Sequence, residues 1–381
     1  MSSKFRKINQ KPIVTPIYQT TTFEFPDTDS IIQYQKGKKK GYLYTRYDNP
    51  TIEAVEIQMA RLDKAESSLL FSSGMAAISG ACFTLLTSGD EIISSAPVYG
   101  GTQSLFDRFL KKYGIKIRYF PANDTGKLAR AISSKTKFIY LESPTNPNLQ
   151  IVDMKTAAKI ARENRIFTLI DSTFASPVNQ KPLDFGIDAV MHSATKYLGG
   201  HSDIMGGVLS GSSTFIKRVR ESRKLLGSCA DPNQAFLLDR GLKTLTVRME
   251  KINNNALAVA EFLETIPGLK TVIYPGLDSH PQRSVGISQM SGFGGIVSFD
   301  IGSAKMAARF ADSLKVIKNA VSLGGTESLI SLPIWTSHHG IDRKKLVAMG
   351  ITPGLIRLSI GLEDKKELIT DIKRAIRKSL K

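Results

Sequence analysis

The stretch HSATKYLGGHSD, residues 192–203, follows directly after an apolar run that is typical of a strand. Its lysine, Lys196, lies between the hydroxyl residues Ser193 and Thr195 and a pair of glycines. A lysine that loses its charge on burial becomes an amine nucleophile that can condense with a carbonyl group. The stretch therefore suggests a Schiff-base lysine beside a phosphate, as in an enzyme that carries pyridoxal phosphate. The same residue types also build ordinary loops, so this alternative stays open.

Outward from this stretch, short apolar strands alternate with helical segments between residues 49 and 247. This alternation is typical of a doubly wound α/β domain, in which ligands gather at the carboxyl ends of the strands. The predicted strands are 68–71, 91–95, 115–120, 137–142, 166–171 and 188–192. Each ends in polar or small residues, so we expect the functional side chains at that edge of the sheet.

The two ends of the chain do not show this alternation of strands and helices. Residues 1–48 contain three prolines and few periodic runs, which indicates an extended arm that ends in a turn before a helix near Thr51. Residues 248–381 predict a smaller α+β domain, which begins within a helix that runs from about 243 to 262. Its predicted strands are 269–274, 295–300 and 355–362, and its further helices are 304–314 and 364–379.

The composition limits the classes of protein to consider. The 381 residues are 41% hydrophobic, but they contain no run of about 18 apolar residues that could cross a membrane. The first residues lack the apolar core of a secretory signal, so we expect a cytoplasmic protein. Cys82 and Cys229 are too few for a disulfide framework and have no metal-ligand spacing. Cys82 lies in an apolar helical run, which predicts a core position.

The charge balance is the unusual feature, with 52 Lys and Arg against 34 Asp and Glu, a net charge of +18. Such an excess can attract nucleic acid or other anions. The basic residues form separate groups at 36–40, 217–224 and 373–381, and the last two groups alternate with apolar residues as on solvated helix faces. No zinc-finger spacing or aromatic RNA-binding motif accompanies them. A non-catalytic basic binding protein is the alternative class, and nucleic-acid binding is not expected as the main function.

Asp171 ends one predicted strand, and Lys196 follows the next one. A carboxylate against a pyridine nitrogen keeps that nitrogen protonated, which makes the ring an electron sink for a carbanion at the substrate's Cα. Two neighbouring strand ends could therefore hold both ends of one flat ring. The alternative for Asp171 is a carboxylate that caps the following turn.

A phosphate site is predicted where Gly74 and Met75 open a helix directly after a strand, because helix N-termini bind anions. Asn146 could donate to the phenolic oxygen of the ring, or it could belong to an ordinary Asn-Pro turn. Tyr99 could stack on the ring or be a core aromatic at the start of a helix.

Taken together, these motifs resemble the pyridoxal-phosphate enzymes of cysteine and methionine metabolism. The segments that carry the resemblance are TPIYQ (15–19), YTRYDNPT (44–51), SATKYLGGHSD (193–203) and RLSIGLE (357–363). The family includes cystathionine γ-synthase, cystathionine β- and γ-lyases, methionine γ-lyase and the O-acylhomoserine sulfhydrylases. The resemblance covers essentially the whole chain. It implies the aminotransferase-like fold type I, pyridoxal 5'-phosphate as cofactor, no metal, and a homotetramer built as a dimer of dimers.

The resemblance also implies roles for the matched residues. Lys196 would form the Schiff base and move protons, Tyr99 would stack on the ring and assist the leaving group, and Asp171 would pair with the pyridine nitrogen. The other implied roles are phosphate binding by Gly74, Met75, Ser193 and Thr195, phosphate binding from a neighbouring subunit by Tyr44 and Arg46, contact with the phenolic oxygen by Asn146, and binding of the substrate α-carboxylate by Arg357 and Ser322. An arginine in a strand could also simply point at solvent, which is the alternative for Arg357.

Two positions bear on which reaction is expected. Bacterial methionine γ-lyases typically carry a cysteine where this chain has Gly101, and γ-synthases and cystathionine γ-lyases usually carry a glutamate where it has Val321. Val321 weakens contact with a distal amino group such as that of cystathionine. We rank γ-elimination from a sulfur amino acid first, as in cystathionine γ-lyase, and γ-replacement on an activated homoserine second. Methionine γ-lyase remains an alternative, and β-elimination ranks third.

Overall fold

Two β-sheets organise the chain in the computed structural model, which describes residues 10–336, 339–340, 346 and 349–380. The strands of the larger sheet are β1 Ser67–Phe71, β2 Glu91–Ala96, β3 Lys116–Pro121, β4 Thr136–Glu142, β5 Phe167–Asp171, β6 Ala189–Ser193 and β7 Gly207–Gly211. The strands of the smaller sheet are β8 Thr271–Ile273, β9 Ile296–Asp300, β10 Lys318–Asn319, β11 Leu329–Ser331 and β12 Leu355–Ser359. The strand orders are β1-β7-β6-β5-β4-β2-β3 and β10-β11-β12-β9-β8.

Helices connect and cover these strands. The α-helices of the described residues are α1 Thr28–Gln35, α2 Pro50–Asp63, α3 Gly74–Leu85, α4 Gly100–Ser104, α5 Leu128–Ala131, α6 Met154–Glu163, α7 Ser176–Asn179, α8 Ser213–Leu226, α9 Pro232–Leu242, α10 Leu245–Glu264, α11 Arg283–Gln289, α12 Ala304–Ser313 and α13 Lys365–Ser379. A π-helical turn at Leu105–Phe109 and a 3-10 turn at Leu110–Tyr113 continue α4. No helix in these described ranges is long and apolar enough to cross a membrane.

The larger sheet is buried on both faces, as the predicted α/β pattern requires. Neighbouring residues of one strand point to opposite faces of the sheet. Leu169 packs in the core that contains helices α3 and α8, and Ile170 packs in the core that contains α6. Strands β2 to β6 pair in parallel, and all six predicted strands of this domain are confirmed to within two residues at each end. Cys82 lies fully buried in the first core, as predicted, and burial raises its pKa to about 12.

Strand β7 was not predicted. It runs antiparallel to both β1 and β6, between them. Its sequence GVLSG has two glycines, which have low strand propensity, and it follows a polar loop. Because Gly207 approaches the Ser73 carbonyl, where a Cβ would lie 2.2 Å from the oxygen, the residue fits only without a side chain. Tertiary packing therefore specifies this strand, and the local pattern does not.

The arm also contains more regular structure than expected. Helix α1 lies within it, and the side chain of Asp27 caps the helix by accepting a hydrogen bond from Ser30 N at 2.6 Å. Residues 1–9 of the predicted arm lie outside the described residues. The arm returns on itself through a bridge between Thr22 and Tyr44.

The basic face predicted for residues 217–224 is only partly solvated, and in this respect the prediction was wrong. Arg223 is 1% exposed and donates to Glu56 Oε1 at 3.0 Å, and Arg220 donates to Glu56 Oε2 at 2.7 Å and to Asp48 Oδ1 at 2.6 Å. A carboxylate partner offsets much of the cost of burying a guanidinium. Part of the positive charge thus fixes helix α8 against the end of the arm.

The smaller sheet is built as predicted, with two additional short strands, β10 and β11. Its core joins side chains of α10, α12 and α13 to residues of β9 and β12, such as Phe299 and Leu358. Strands β10 and β11 have only two and three residues, too few for a periodic signal. The predicted domain boundary at residue 247 falls inside α10, and the division into three segments stays a prediction.

Candidate active site

Most of the predicted site residues converge where the carboxyl ends of the strands of the larger sheet meet the smaller sheet. Asp171 ends β5 and is paired in register with Glu142, which ends β4. Lys196 lies in the turn that follows β6, the next strand of the sheet. Arg357 reaches the same place from β12. The parallel pairing of the strands explains why residues far apart in sequence meet here.

The amine of Lys196 lies partly buried and donates to Ser322 Oγ at 2.8 Å. Burial, and next the positive charge of Arg357, lower the pKa of Lys196 to about 8. Ser322 has a φ of 89°, a left-handed conformation that is unfavourable for a residue with a side chain and is found most often at functional sites. The strained serine therefore places its hydroxyl against a lysine that can act as a neutral amine.

The lowered pKa of Lys196 predicts how stability depends on pH in the protein without bound ligand. The unfolded chain keeps the lysine proton up to its usual pKa of 10.5, whereas the folded protein releases it above about 8. Between these pH values the unfolded state holds more protons, so the free energy of unfolding should rise with pH. We expect this rise in the native sequence and not in Lys196→Met, compared by urea unfolding across that interval. Parallel curves for the two proteins would contradict the prediction.

Arg357 is buried, with 5% of its surface exposed, so the alternative in which it points at solvent is wrong. Its Nη1 donates to Asn146 Oδ1 at 3.1 Å and its Nη2 donates to the Ser322 carbonyl at 3.0 Å. Among the described residues, no carboxylate lies within salt-bridge distance of it. Burial lowers the pKa of Arg357 to about 10. A buried cation whose partners are neutral oxygens is suited to bind an anion.

Asp171 and Glu142 form an acidic pair at the ends of β5 and β4. Both are buried, at 7% and 4% exposure. Asp171 Oδ1 accepts from Thr173 N at 2.9 Å, and its Oδ2 accepts from the Tyr140 hydroxyl at 3.4 Å. Burial raises the pKa of Asp171, and burial together with the charge of Asp171 raises the pKa of Glu142 to about 8. A cationic ligand group beside Asp171 would relieve this unfavourable burial.

The predicted phosphate site lies at the N-terminus of α3. Ser73 caps the helix by accepting from Ala76 N at 3.1 Å, which leaves the N–H groups of Gly74 and Met75 without an acceptor within the described ranges. Ser193 lies against this helix start, since a Cβ on Gly74 would be 3.2 Å from the Ser193 Cβ. The hydroxyl of Ser193 likewise has no hydrogen-bond partner in the part of the chain that is described.

Thr195 differs from Ser193, because its hydroxyl already accepts a hydrogen bond from Gly206 N at 3.1 Å. It can still donate a hydrogen bond to an anion, and its weak contact with the Gly206 carbonyl at 3.4 Å is easily exchanged. The structure therefore brings four of the predicted phosphate residues close to Lys196: Gly74, Met75, Ser193 and Thr195.

Tyr99 lies at the mouth of the site with 46% of its surface exposed. Its N–H donates to Glu142 Oε2 at 2.7 Å, which fixes the start of helix α4. A Cβ on Gly101 would lie 2.5 Å from Tyr99 Cε1, so the absence of a side chain at 101 sets the position of the tyrosine ring. This exposed aromatic ring could cover a flat ligand.

Tyr44 and Arg46 are not brought to this site within the chain. Arg46 Nη1 donates to the Lys224 carbonyl at 2.6 Å, and its guanidinium lies over the Tyr47 ring with 4.8 Å to the centroid. Tyr44 is 40% exposed. Arg46 is therefore half-buried against α8, and Tyr44 is exposed, so that contact with another molecule is possible.

Three further residues of the site had no role in the sequence analysis. Glu142 and Tyr140 lie in β4 and contact the other site residues through hydrogen bonds. Thr173 joins two strand ends, because its N–H donates to Asp171 and its hydroxyl accepts from Ser193 N at 2.8 Å. Glu142 ends a predicted strand, and this position in the sequence could have indicated that it belongs to the site. Nothing in the sequence indicates what Tyr140 and Thr173 contact.

Comparison with known proteins gives a consistent assignment. The profile of the family described as Cys/Met metabolism PLP-dependent enzyme matches residues 2–377. A cystathionine γ-lyase of Bacillus subtilis is 41% identical over 365 residues, which are 96% of this chain and 94% of that protein. A cystathionine β-lyase of Lactococcus lactis subsp. cremoris is also 41% identical, over 367 residues, with 96% and 94% of the two chains covered.

A solved structure supports the fold. The chain superimposes on a cystathionine γ-lyase of Lactobacillus plantarum complexed with L-serine with a TM-score of 0.91 and 38% identity, and the match covers 96% of this chain and 94% of that one. The predicted fold type I is confirmed by this likeness. The relatives are named for different reactions, such as the γ-lyase and the β-lyase reaction on cystathionine. These matches therefore establish the family and leave the individual reaction open.

Proposed function

The chain belongs to the Cys/Met metabolism family of PLP-dependent enzymes, and within this family we propose that it is a carbon–sulfur lyase that performs γ-elimination on a sulfur amino acid. Cystathionine is the first candidate substrate. The single observation that carries this proposal is the Lys196 amine, held 2.8 Å from Ser322 Oγ beside the buried Arg357, with its pKa lowered to about 8.

The residues present fit pyridoxal phosphate. A helix start with free N–H groups and the Ser193 hydroxyl suit a phosphate, and the buried acidic group of Asp171 suits a protonated pyridine nitrogen. Lys196 supplies the amine. We assign Asn146 to the phenolic oxygen, because its Oδ1 accepts from Arg357 and its amide nitrogen remains available as a donor.

Arg357 binds the α-carboxylate of the substrate in this proposal. Its two terminal nitrogens lie against Asn146 Oδ1 and the Ser322 carbonyl, which fixes the plane of the guanidinium. A planar guanidinium binds a carboxylate through two parallel hydrogen bonds. Arg357 would therefore act as a clamp on the carboxylate and orient the substrate with its Cα near Lys196.

The proton movements are assigned to two side chains. When bound, the cofactor supplies an electron-withdrawing ring conjugated to the substrate's Cα. The neutral amine of Lys196 removes the Cα proton as a general base, and its flexible stem lets it reach Cβ next. The Tyr99 hydroxyl donates a proton to the departing sulfur as a general acid. Elimination releases the thiol, and one water molecule then hydrolyses the remaining imine to ammonia and a 2-oxo acid.

We also propose that the site is completed by a second copy of the chain in a homo-oligomer, as a tetramer built from dimers. Tyr44 is exposed, Arg46 is half-buried against α8, and neither forms a hydrogen bond with the predicted phosphate site of its own chain. An arginine held over Tyr47 in a fixed orientation is suited to bind a phosphate. In the assembly, these two residues would contact the phosphate bound by the partner chain.

Cystathionine itself distinguishes the reactions, because its sulfur joins a β carbon to a γ carbon. γ-Elimination releases cysteine and 2-oxobutyrate, whereas β-elimination releases homocysteine and pyruvate. We expect 2-oxobutyrate from cystathionine, and also from homocysteine and methionine, without any added thiol. Val321 is apolar and 66% exposed beside Ser322, so it offers no charge to a distal amino group, and discrimination among these substrates should be weak.

The outcomes of this assay separate the candidates. Pyruvate in place of 2-oxobutyrate would replace γ- by β-elimination. Product only in the presence of O-acylhomoserine and an added thiol would replace elimination by γ-replacement. A protein that does not become coloured with pyridoxal phosphate would contradict the enzyme assignment as a whole.

Gly101 allows a separate prediction. A side chain at this position would displace the Tyr99 ring, since even a Cβ would lie 2.5 Å from Cε1, and it would also press on Met75 Sδ at 3.2 Å. We expect Gly101→Ala to lower kcat roughly tenfold, because Tyr99 no longer lies in its productive position. Gly126, exposed to open space beside Asp124, provides a control in Gly126→Ala, which should keep kcat. Unchanged kinetics in Gly101→Ala would show that the ring position is not set by residue 101.

A further inference from the structure

We propose that Glu142 is a positioning residue that couples the ring of Tyr99 to the Arg357 clamp, by holding the backbone of Tyr99 with one carboxylate oxygen and the backbone of Asn146 with the other. The proposal rests on the proposed function, in which Tyr99 covers the cofactor and Arg357 binds the substrate. Glu142 itself touches neither ligand.

The contacts of Glu142 are divided evenly between its two oxygens. Oε2 accepts from Tyr99 N at 2.7 Å, and Oε1 accepts from Asn146 N at 3.0 Å. The backbone N–H of Glu142 donates to Ser95 Oγ at 3.0 Å, which ties the end of β4 to the end of β2. One buried side chain thus bridges the loop before α4 and the loop after β4.

The second of these contacts continues to the clamp. Asn146 is held by Glu142 through its backbone, and its side-chain oxygen accepts from Arg357 Nη1. The chain of contacts therefore runs from Tyr99 through Glu142 and Asn146 to Arg357. A shift of either loop would change the distance between the aromatic ring and the guanidinium.

A glutamine cannot replace this arrangement. Both oxygens of Glu142 accept a hydrogen bond, whereas a carboxamide has one acceptor oxygen and one NH₂ donor. In Glu142→Gln, one of the two backbone N–H groups would face another donor, and a buried N–H would lose its partner. The loop that loses its partner would move.

The charge of Glu142 is linked to that of Asp171, its neighbour in register. Burial and the Asp171 charge raise the pKa of Glu142, and the two N–H donors oppose this effect. A cation bound beside Asp171 would compensate the Asp171 charge and favour the carboxylate form of Glu142. Binding of a protonated pyridine nitrogen would then strengthen the contacts that hold Tyr99 and Asn146.

Glu142→Gln tests this proposal against Glu91→Gln. Glu91 is a matched control, because it is 2% exposed and accepts hydrogen bonds from Ser133, Thr136 and Arg118. It lies in the same sheet but at the start of β2, away from the carboxyl ends of the strands. Both proteins are purified with pyridoxal phosphate and compared with the native sequence at about pH 9, above the raised pKa of Glu142.

We expect Glu142→Gln to lower kcat/KM roughly 10- to 100-fold, with a higher KM as well as a lower kcat, because both the clamp and the ring are displaced. The circular dichroism of the bound chromophore should change, and the affinity for pyridoxal phosphate, measured by titration, should fall. Glu91→Gln should lose stability to urea and keep these three properties.

Two failures can be told apart. If Glu142→Gln keeps the kinetics, the dichroism and the cofactor affinity of the native protein, the proposed role of Glu142 is wrong. If both variants change alike, the effect is a general cost of losing a buried carboxylate, which also overturns the proposal. If the native protein itself neither binds pyridoxal phosphate nor releases a 2-oxo acid, the proposed function fails.

Discussion

Lys196→Ala should lose roughly 10³-fold or more of the lyase activity together with all covalently held chromophore. Two functions depend on this amine in the proposed reaction, namely the covalent bond to the cofactor and the removal of the Cα proton. No other described lysine or histidine contacts Ser322 as Lys196 does. The change would be measured as 2-oxobutyrate release from cystathionine, and as the visible absorbance that remains after dialysis.

The matched control for this prediction is Lys181→Ala. Lys181 is also partly buried with a lowered pKa caused by burial, but it donates to the Leu62 carbonyl, outside the site. We expect this variant to keep both chromophore and activity. Reduction of the native protein with borohydride should attach the cofactor to the peptide that contains Lys196. A stable covalent adduct in Lys196→Ala, or attachment to a different lysine, would show that another residue carries the cofactor.

The position of Lys196 could be predicted because its surroundings are local in sequence. The hydroxyl residues, the glycines and the preceding strand all lie within a few residues of it. The same holds for the N-terminus of α3, where Ser73 caps the helix and Gly74 opens it. The structure places both where the strand pattern predicts, at one edge of the larger sheet.

The remaining features depend on contacts between distant segments. Glu142 accepts from Tyr99, 43 residues away, and Arg357 donates to Asn146, 211 residues away. Strand β7 is specified by its neighbours β1 and β6, and Arg223 is buried because Glu56 lies opposite it. No local pattern encodes these partners. For this reason, the sequence indicates the cofactor and the kind of chemistry more firmly than the identity of the sulfur compound.

Arg357→Met should weaken substrate binding and leave the free energy of unfolding almost unchanged. We expect kcat/KM to fall roughly 10²- to 10³-fold, about 3–4 kcal/mol, mostly through a higher KM, because the α-carboxylate loses a buried, charge-assisted pair of hydrogen bonds. Steady-state kinetics with cystathionine measure this effect. A variant with normal KM and low kcat would place Arg357 in a step after binding.

We expect Arg357→Met to have little effect on the stability of the ligand-free protein. Arg357 is buried against two neutral oxygens, and none of its hydrogen bonds within the described residues goes to a carboxylate. Desolvation of the guanidinium offsets those hydrogen bonds, so we expect Arg357→Met to change the free energy of unfolding by less than about 1 kcal/mol.

Arg223→Met provides the contrast, because Arg223 is at least as deeply buried but donates to Glu56. Removal of one partner from a buried ion pair leaves the other charge uncompensated, and we expect a loss of about 3 kcal/mol in the free energy of unfolding. Urea unfolding of both variants measures the difference. If Arg357→Met is as destabilised as Arg223→Met, Arg357 is a structural cation of the fold. If only Arg223→Met is destabilised, Arg357 is a buried cation kept for the carboxylate of the substrate.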